Sequence, residues 1–342
     1  MSHPPDPYAV VVPTVGRPCL ADCLAALAAS DGPAPHRVVV VDDRPGEPPP
    51  GALPRDLPLD ALGALADRAV VVRSGGRGPA AARNTGLREV EEPWTVFLDD
   101  DVRVGPAWRT ALARDLAEAS PGTGAVQGVL RVPLPADRRP TDWERNTAGL
   151  ERALWATADM AYRTEALRAV GGFDERFRRA FREDADLALR VIDAGWLIRR
   201  GTRRTEHPVR PADRWVSLRL QRGNADDALM VRLHGPGWWA RAAAPRGRIR
   251  RHAAVTAAGA LGVHLAAAGR PPAALPAGAP GPRRGGASWA EGHGRGGRAG
   301  ARGGGGRAPE AGAPAGRGKP AGPPVAAKGR ARRAVRLPSC GA

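Results

Sequence analysis

An apolar run, Val96-Phe97-Leu98, ends abruptly in three carboxylates, Asp99-Asp100-Asp101. A short apolar run reads as a buried strand, which puts the acids at its C-terminal end. Three adjacent negative charges repel one another and are costly to desolvate, so a folded chain needs a compensating cation beside them. In open α/β sheets the C-terminal ends of the strands are where ligands bind. Carboxylate oxygens suit Mg²⁺ or Mn²⁺, and those ions bind phosphates. A metal–diphosphate site is the sharp expectation, and a strand running into a solvated acidic turn is the bland one.

The pattern repeats upstream. Ala9-Val10-Val11-Val12-Pro13-Thr14 reads as a buried first strand closed by Pro13, and Leu20, Leu24 and Leu27 recur at helical spacing after it. Arg37-Val38-Val39-Val40-Val41 is a second strand, again ending in acid at Asp42-Asp43. The Pro-rich stretch from Arg44 to Leu59 must be loop. Ala69 to Arg73 is a third strand, followed by the loop Ser74-Gly75-Gly76-Arg77-Gly78 and a helix from Pro79 to Val90. Thr95 to Leu98 is the fourth strand. Continuous rather than alternating apolar strands, separated by helices, predict a parallel sheet covered on both faces. Three of the four strands then deliver a polar group to one edge: Thr14, Asp42/Asp43 and Asp99 to Asp101.

Beyond residue 105 the expected elements are a helix over 106–120, a strand over 125–132, an approach to the site by Trp155 to Tyr162, and a short helix over 163–170. Gly171-Gly172-Phe173-Asp174 turns the chain, and Glu183 to Ala194 reads as an amphipathic helix. Leu197-Ile198-Arg199 is a late strand candidate, with helices predicted over 214–230 and 248–265.

Charge and cysteine usage bound the rest. The chain has 342 residues and a formal charge of +17, of which +11 falls after residue 270, where 13 Lys or Arg face 2 acids. That segment has 30 Gly or Pro and four residues of Leu, Ile, Val or Phe, too few to bury a core. It reads as a disordered basic tail or as an out-of-frame translation of a GC-rich gene. The second fits the abrupt loss of a helical region after Ala268. The expected partition is therefore 1–210 as an α/β domain, 211–270 as a helical extension and 271–342 as the low-complexity tail. Cys19, Cys23 and Cys340 form no disulfide framework or zinc pattern, and the first two are expected as small core residues. A reducing, cytoplasmic setting fits. Ala253 to Ala268 is short and interrupted by His264, so it predicts a packed or interfacial helix rather than a span, leaving room for peripheral association at the inner membrane face.

At this point six elements in order resemble the family 2 glycosyltransferases of the GT-A fold. They are Val11-Val12-Pro13-Thr14, Val39-Val40-Val41-Asp42-Asp43, Ala82-Arg83-Asn84-Thr85-Gly86, Leu98-Asp99-Asp100-Asp101, Gly171-Gly172-Phe173-Asp174-Glu175 and Glu183-Asp184-Ala185-Asp186-Leu187. The match runs from Val11 to about His207. It implies a Rossmann-like, mostly parallel sheet with helices on both faces, and transfer of a sugar from a nucleoside diphosphate sugar, of UDP or dTDP type, to an acceptor hydroxyl.

The resemblance also implies roles. Asp99 and Asp101, with His207, would hold a divalent Mg²⁺ or Mn²⁺ that stabilises the departing diphosphate. Thr14, Asp42 or Asp43, Gly75, Arg83, Asp99 and Asp100 would line the nucleotide sugar. Trp155 and Asp159 fall where the family contacts donor sugar or acceptor, and Trp155 either stacks on a sugar face or is core. Arg83 either pairs with phosphate, structures the pocket or is a surface helix arginine. Asp184 is the expected general base of an inverting transfer, with Glu183 raising the pair's proton affinity. Helix N-terminal acids complementing the macrodipole are the rival reading of that pair. Arg44-Pro45-Gly46 departs from the family's usual turn after the second strand and leaves base recognition open.

Other classes fit less well. Only one glycine follows the first strand, where a nucleotidylyltransferase carries a Gly-rich loop and a dehydrogenase Gly-x-Gly-x-x-Gly. A polyanion binder would rest on the tail alone, and no specific nucleic-acid partner is expected.

Overall fold

The computed structural model describes residues 6–46, 57–244 and 249–269. The chain divides into two units, Met1–Pro271 and Pro272–Ala342. The second unit, with the tail read from the sequence, lies outside the described residues, as does 47–56 of the Pro-rich loop.

Eight strands form one sheet: β1 (Tyr8–Thr14), β2 (Arg37–Asp42), β3 (Ala69–Arg73), β4 (Trp94–Leu98), β5 (Arg103–Val104), β6 (Thr123–Arg131), β7 (Asp159–Arg163) and β8 (Leu197–Glu206). The helices are α1 (Cys19–Ala29), α2 (Pro79–Arg88), α3 (Trp108–Ala117), α4 (Asp142–Ala148), α5 (Thr164–Ala169), α6 (Glu183–Asp193), α7 (Val216–Leu220), α8 (Asn224–His234), α9 (Trp238–Arg241) and α10 (Ile249–Ala267). Spatial order is β3-β2-β1-β4-β7-β6-β8-β5. Strands β3, β2, β1 and β4 run parallel, as their continuous apolar character predicts.

The second half is mixed. β7 pairs antiparallel with both β4 and β6, β8 parallel with β6, and β5 antiparallel with β8. The parallel sheet expected from the first half therefore extends into a mixed one, with helices on both faces. Strand β8 is far longer than the three residues its apolar start suggested. Its arginines read as surface, but Arg203 and Thr205 point inward. The helix expected over 214–230 is interrupted by a 3₁₀ turn at Gln221–Gly223, where a Cβ on Gly223 would meet the Phe181 ring at 2.9 Å. A further 3₁₀ segment, Leu59–Arg68, fills the stretch between the Pro-rich loop and β3.

Both faces of β1, β2 and β4 are buried, so residues alternate between two apolar clusters. Val10, Val12, Val38, Val40 and Val96 pack with Leu20, Leu24 and Leu27 of α1. Val11, Val39, Val41 and Phe97 pack on the other side with Ala80 and Ala82 of α2 and Leu187 of α6. Helix α2 approaches so closely that a Cβ on Gly86 would fall 2.4 Å from Val11 and 2.9 Å from Val41. Cys23 is buried in the first cluster, as expected. Cys19 is only half-buried and lines a small cavity beside Asp101 and Arg210. Among the described residues no helix is long and apolar enough to cross a membrane. The helix expected near Ala253 forms as α10, and its described side chains are almost all exposed.

One charged group holds the mixed half together. Arg203 is fully buried; its Nε donates to Asp159 Oδ1 at 2.7 Å, and Nη1 pairs with Asp115 at 3.1 Å. Asp159 Oδ2 accepts from Trp108 Nε1 at 2.8 Å and Thr205 Oγ1 at 2.5 Å. Asp159 therefore serves the core, which corrects its expected contact with donor sugar or acceptor: its carboxylate is fully committed to protein donors. Removing one member of a buried pair strands the other, at about 3–5 kcal/mol. Asp159→Ala is expected to lose stability on that scale, read as a shift of the urea midpoint at constant slope.

Candidate active site

The strand order reverses between β1 and β4, and a crevice outside the C-terminal ends follows from that reversal. The β1–β4 register pairs Val11 with Phe97, and three residues further it sets Thr14 level with Asp100. Thr14 Oγ1 donates to Asp100 Oδ2 at 2.6 Å, and Arg17 reaches Oδ1 at 2.9 Å. Thr14 and Asp100, expected against the nucleotide, are both buried and brace one another across the two strand ends.

The second-strand acids divide the work. Asp42 is fully buried, and its carboxylate is held low in pKa by hydrogen bonds and charge from Arg44, with Arg73 adding to them, against the burial that alone would raise it. Arg44, the departure from the family pattern, is thus the partner of the acid it follows, with its Nε 2.9 Å from Asp42 Oδ1. Asp43 folds the glycine loop instead: Oδ1 accepts from Ser74 Oγ at 2.7 Å and the Arg77 amide at 3.0 Å, Oδ2 from the Gly78 amide at 3.0 Å. Gly75 has φ +77°, a left-handed conformation that disfavours side chains, and it is exposed. Trp155 is mostly buried, in the same apolar cluster as Phe97 and Tyr162, with φ +66° and its amide on Gln127. Of its two expected roles, the structure provides the core one.

Asp99, Asp101 and His207 each present a ligand atom, all within 4.8 Å of one another. His207 follows β8, whose end pairs with β5 just beyond the triple acid; its Nε2 lies 3.5 Å from Asp101 Oδ1. Two carboxylates and an imidazole are a donor set that suits Mn²⁺ or Mg²⁺. Arg210 Nε, 2.8 Å from Asp101 Oδ2, also balances this charge. Asp101 is raised in pKa by burial first and by Asp99 next, against His207 and Arg210.

Facing this group is a second acidic pair tied to it by one guanidinium. Arg83 is buried; Nη2 donates to Asp99 Oδ1 at 2.8 Å and Nη1 to Glu183 Oε1 at 2.9 Å. Burial works against its charge, and Asp99 and Glu183 more than restore it. Arg83 thus structures the pocket, and the surface-arginine reading is set aside. Its neighbour Asn84 accepts from the Phe173 amide and donates to the Phe173 carbonyl, both at 2.8 Å, so the Gly-Gly-Phe-Asp-Glu turn is docked on α2. A Cβ on Gly172 would sit 2.5 Å from Asn84 Oδ1, and its φ of +72° also favours glycine.

Glu183 and Asp184 open α6, behind Arg182, whose φ of +74° is rare for a side-chain-bearing residue. Glu183 is pushed up to about 7, by burial and then by Asp184, with Arg83 opposing. Its Oε2 and Arg83 Nε are buried without a hydrogen-bond partner among the described residues. Asp184 is half-buried and also raised, by burial first; the Ala185 amide, Arg83 and Arg182 oppose. Three carboxylates (Asp99, Glu183, Asp184) thus share Arg83, an arrangement suited to holding or accepting a proton. Sequence reasoning did not single out Arg17, Arg182 or Arg210. Each is an arginine in a loop or at a helix start, with nothing in its neighbours to mark its partner.

Between about 4.5 and about 7 the folded chain keeps a Glu183 proton that the unfolded chain releases. Stability is therefore greatest below that window and falls as pH rises through it. Glu183→Gln cannot ionise and is expected to flatten the slope of the urea midpoint against pH over this range. An unchanged slope would place the proton elsewhere.

The residues 9–169 match the family model described as "Glycosyl transferase family 2". A curated relative, pre-mycofactocin glycosyltransferase of Mycobacterium tuberculosis, is 31% identical over 174 residues, covering 48% of this chain and 35% of the relative. The chain thus spans about a third of the length of the curated relatives it matches. Among solved structures, the mannosyltransferase PcManGT from Pyrobaculum calidifontis, in complex with GDP-Man and Mn²⁺, superposes with TM-score 0.45 at 22% identity, covering 75% of this chain and 83% of that one. S. aureus TarS 1-349 in complex with UDP-GlcNAc gives TM-score 0.44 at 18% identity, over 62% and 61%. Four of the six ordered motifs lie within residues 9–169, the stretch that the family model assigns to glycosyl transferase family 2.

Proposed function

We propose that this chain is a metal-dependent, inverting glycosyltransferase that moves one sugar from a nucleoside diphosphate sugar to an acceptor hydroxyl. The observation that carries the reading is the pairing of two acidic groups through Arg83: Asp99, Asp101 and His207 on one side, Glu183 and Asp184 on the other. Residues 1–210 would form the catalytic domain and 211–270 a helical extension.

Asp99, Asp101 and His207 would hold a divalent cation, which when bound supplies Lewis-acid stabilisation of the departing diphosphate. The chain's own residues do the rest. The backbone of the Gly75 loop, folded by Asp43, leads into the N-terminus of α2, a setting that favours phosphate oxygens. Asp42, Asp43, Thr14 and Asp100 shape the nucleotide side of the crevice through the contacts they make with the protein. On the acceptor side Asp184, raised in pKa by burial, takes the hydroxyl proton as that oxygen attacks the anomeric carbon. Glu183 keeps the pair's proton affinity high, and Arg83 holds Glu183 and Asp99 in place. Attack from the face opposite the leaving group inverts the anomeric centre. A UDP or dTDP donor fits this reading, and the acceptor would belong to surface-glycan or secondary-metabolite assembly.

A panel of sugar nucleotides, assayed for Mn²⁺-dependent binding and turnover, identifies the donor. With it, Asp184→Asn is expected to lower kcat by about 10²–10⁴-fold while nucleotide binding persists. Asp101→Ala is expected to abolish transfer and also to weaken Mn²⁺-dependent nucleotide binding. Full turnover by either variant would refute the assignment.

A further inference from the structure

The base candidate Asp184 sits on a helix start where Arg83 holds Glu183 and Asp184 itself accepts from the neighbouring Ala185 amide at 2.7 Å. Arg182 enters α6 with φ +74°, and the helix has no side-chain cap. Two residues of α8, well beyond the stretch matched by the family model, hold this turn. Asp227 Oδ1 accepts from Arg182 Nε at 2.7 Å. His234 Nε2 lies 2.8 Å from Asp186 Oδ1, and Arg190 takes the other oxygen of Asp186 at 2.6 Å. The Arg182 guanidinium is sandwiched in addition, 4.3 Å from the Phe181 ring centroid and 5.0 Å from that of Trp238 in α9. His234 and Asp186 are both nearly inaccessible, so this contact is dry and rigid.

We propose that Asp227 and His234 are positioning residues for the acceptor side of the active site. Through Arg182 and Asp186 they grip the residues on either side of Glu183-Asp184, and so fix where the Asp184 carboxylate stands. The inference rests on the reading of Asp184 as the general base. Asp99, at the end of β4, meets the start of α6 through Arg83 rather than through Asp227 or His234, so these two act on the acceptor side. A displacement of about 1 Å at a reacting group can cost about 10²-fold in rate, which is the scale at stake.

The test uses the full chain with Mn²⁺ and whichever of UDP-glucose, UDP-N-acetylglucosamine or GDP-mannose is hydrolysed fastest, water serving as acceptor. Asp227→Ala and His234→Ala are each expected to lower kcat about 10- to 100-fold, with donor KM and Mn²⁺-dependent nucleotide affinity within twofold of the parent. Asp227→Asn keeps an acceptor oxygen for Arg182 and should recover most of the rate. His234→Phe fills the ring's volume without its hydrogen bond and carries the test if the alanine variant does not fold. Parental kcat in Asp227→Ala and in either His234 variant overturns the inference. So does a kcat loss matched by an equal loss of donor affinity, since that marks general unfolding of the site. An Asp184→Asn variant run alongside separates the two ideas. Its full turnover sinks the base assignment, whereas an inactive Asp184→Asn beside fully active Asp227 and His234 variants sinks only the positioning role.

Discussion

Arg83 is the interaction on which the rest of the site depends. It is a single buried cation placed between a carboxylate at the end of β4 and another at the start of α6. Burying Glu183 or Asp99 unpaired would cost several kcal/mol, on the order of what a domain has in reserve. The guanidinium offsets that cost with two directed hydrogen bonds, and its rigid fork sets the spacing between the two acidic groups. It does not neutralise them. Under the proposed function, the remaining negative charge is what a divalent ion would balance on one side and a proton on the other.

The same logic explains why the motifs occur together. Asn84, next to Arg83, fixes the turn at Phe173, and that turn leads into the loop preceding α6. Gly86, two residues on, lets α2 settle onto Val11 and Val41, which brings Arg83 to the sheet edge at the right height. Short motifs that look independent in sequence are thus the contact points of one helix. A change at Gly86 would be felt at Asp184 through α2, without touching the site itself.

Much of this was legible in the chain. Continuous apolar strands ending in acid announced a parallel sheet with a polar edge, and both follow from strands buried on two faces. The acids at Asp99 and Asp101 and the histidine at His207 converge as the resemblance implied. What was not legible lay in partners far apart along the chain. Arg83 meets its two carboxylates 16 and 100 residues away, so nothing local separates it from a surface arginine. Asp159 read as a site acid because it lies near the right place, while its true partner, Arg203, is hidden in a strand that looks too charged to be buried. The antiparallel turn of β7 was invisible for a related reason: an apolar strand covered on both faces carries no mark of its direction.

The two sides of the proposed site are held by different contacts. On the proposed donor side, Thr14 and Asp100 are locked by the register of adjacent core strands, and Asp42 and Asp43 by loops that their own carboxylates fold. Altering any of these disturbs the sheet, so this side is constrained by packing as much as by chemistry. The proposed acceptor side rests on one helix start, held by Arg83 and by ion pairs and ring contacts from α8 and α9. Trp238 and Asp186 are themselves buried, so this side too is constrained by packing. Arg83, bonded to Asp99 on one side and to Glu183 on the other, is what couples the two sets of contacts.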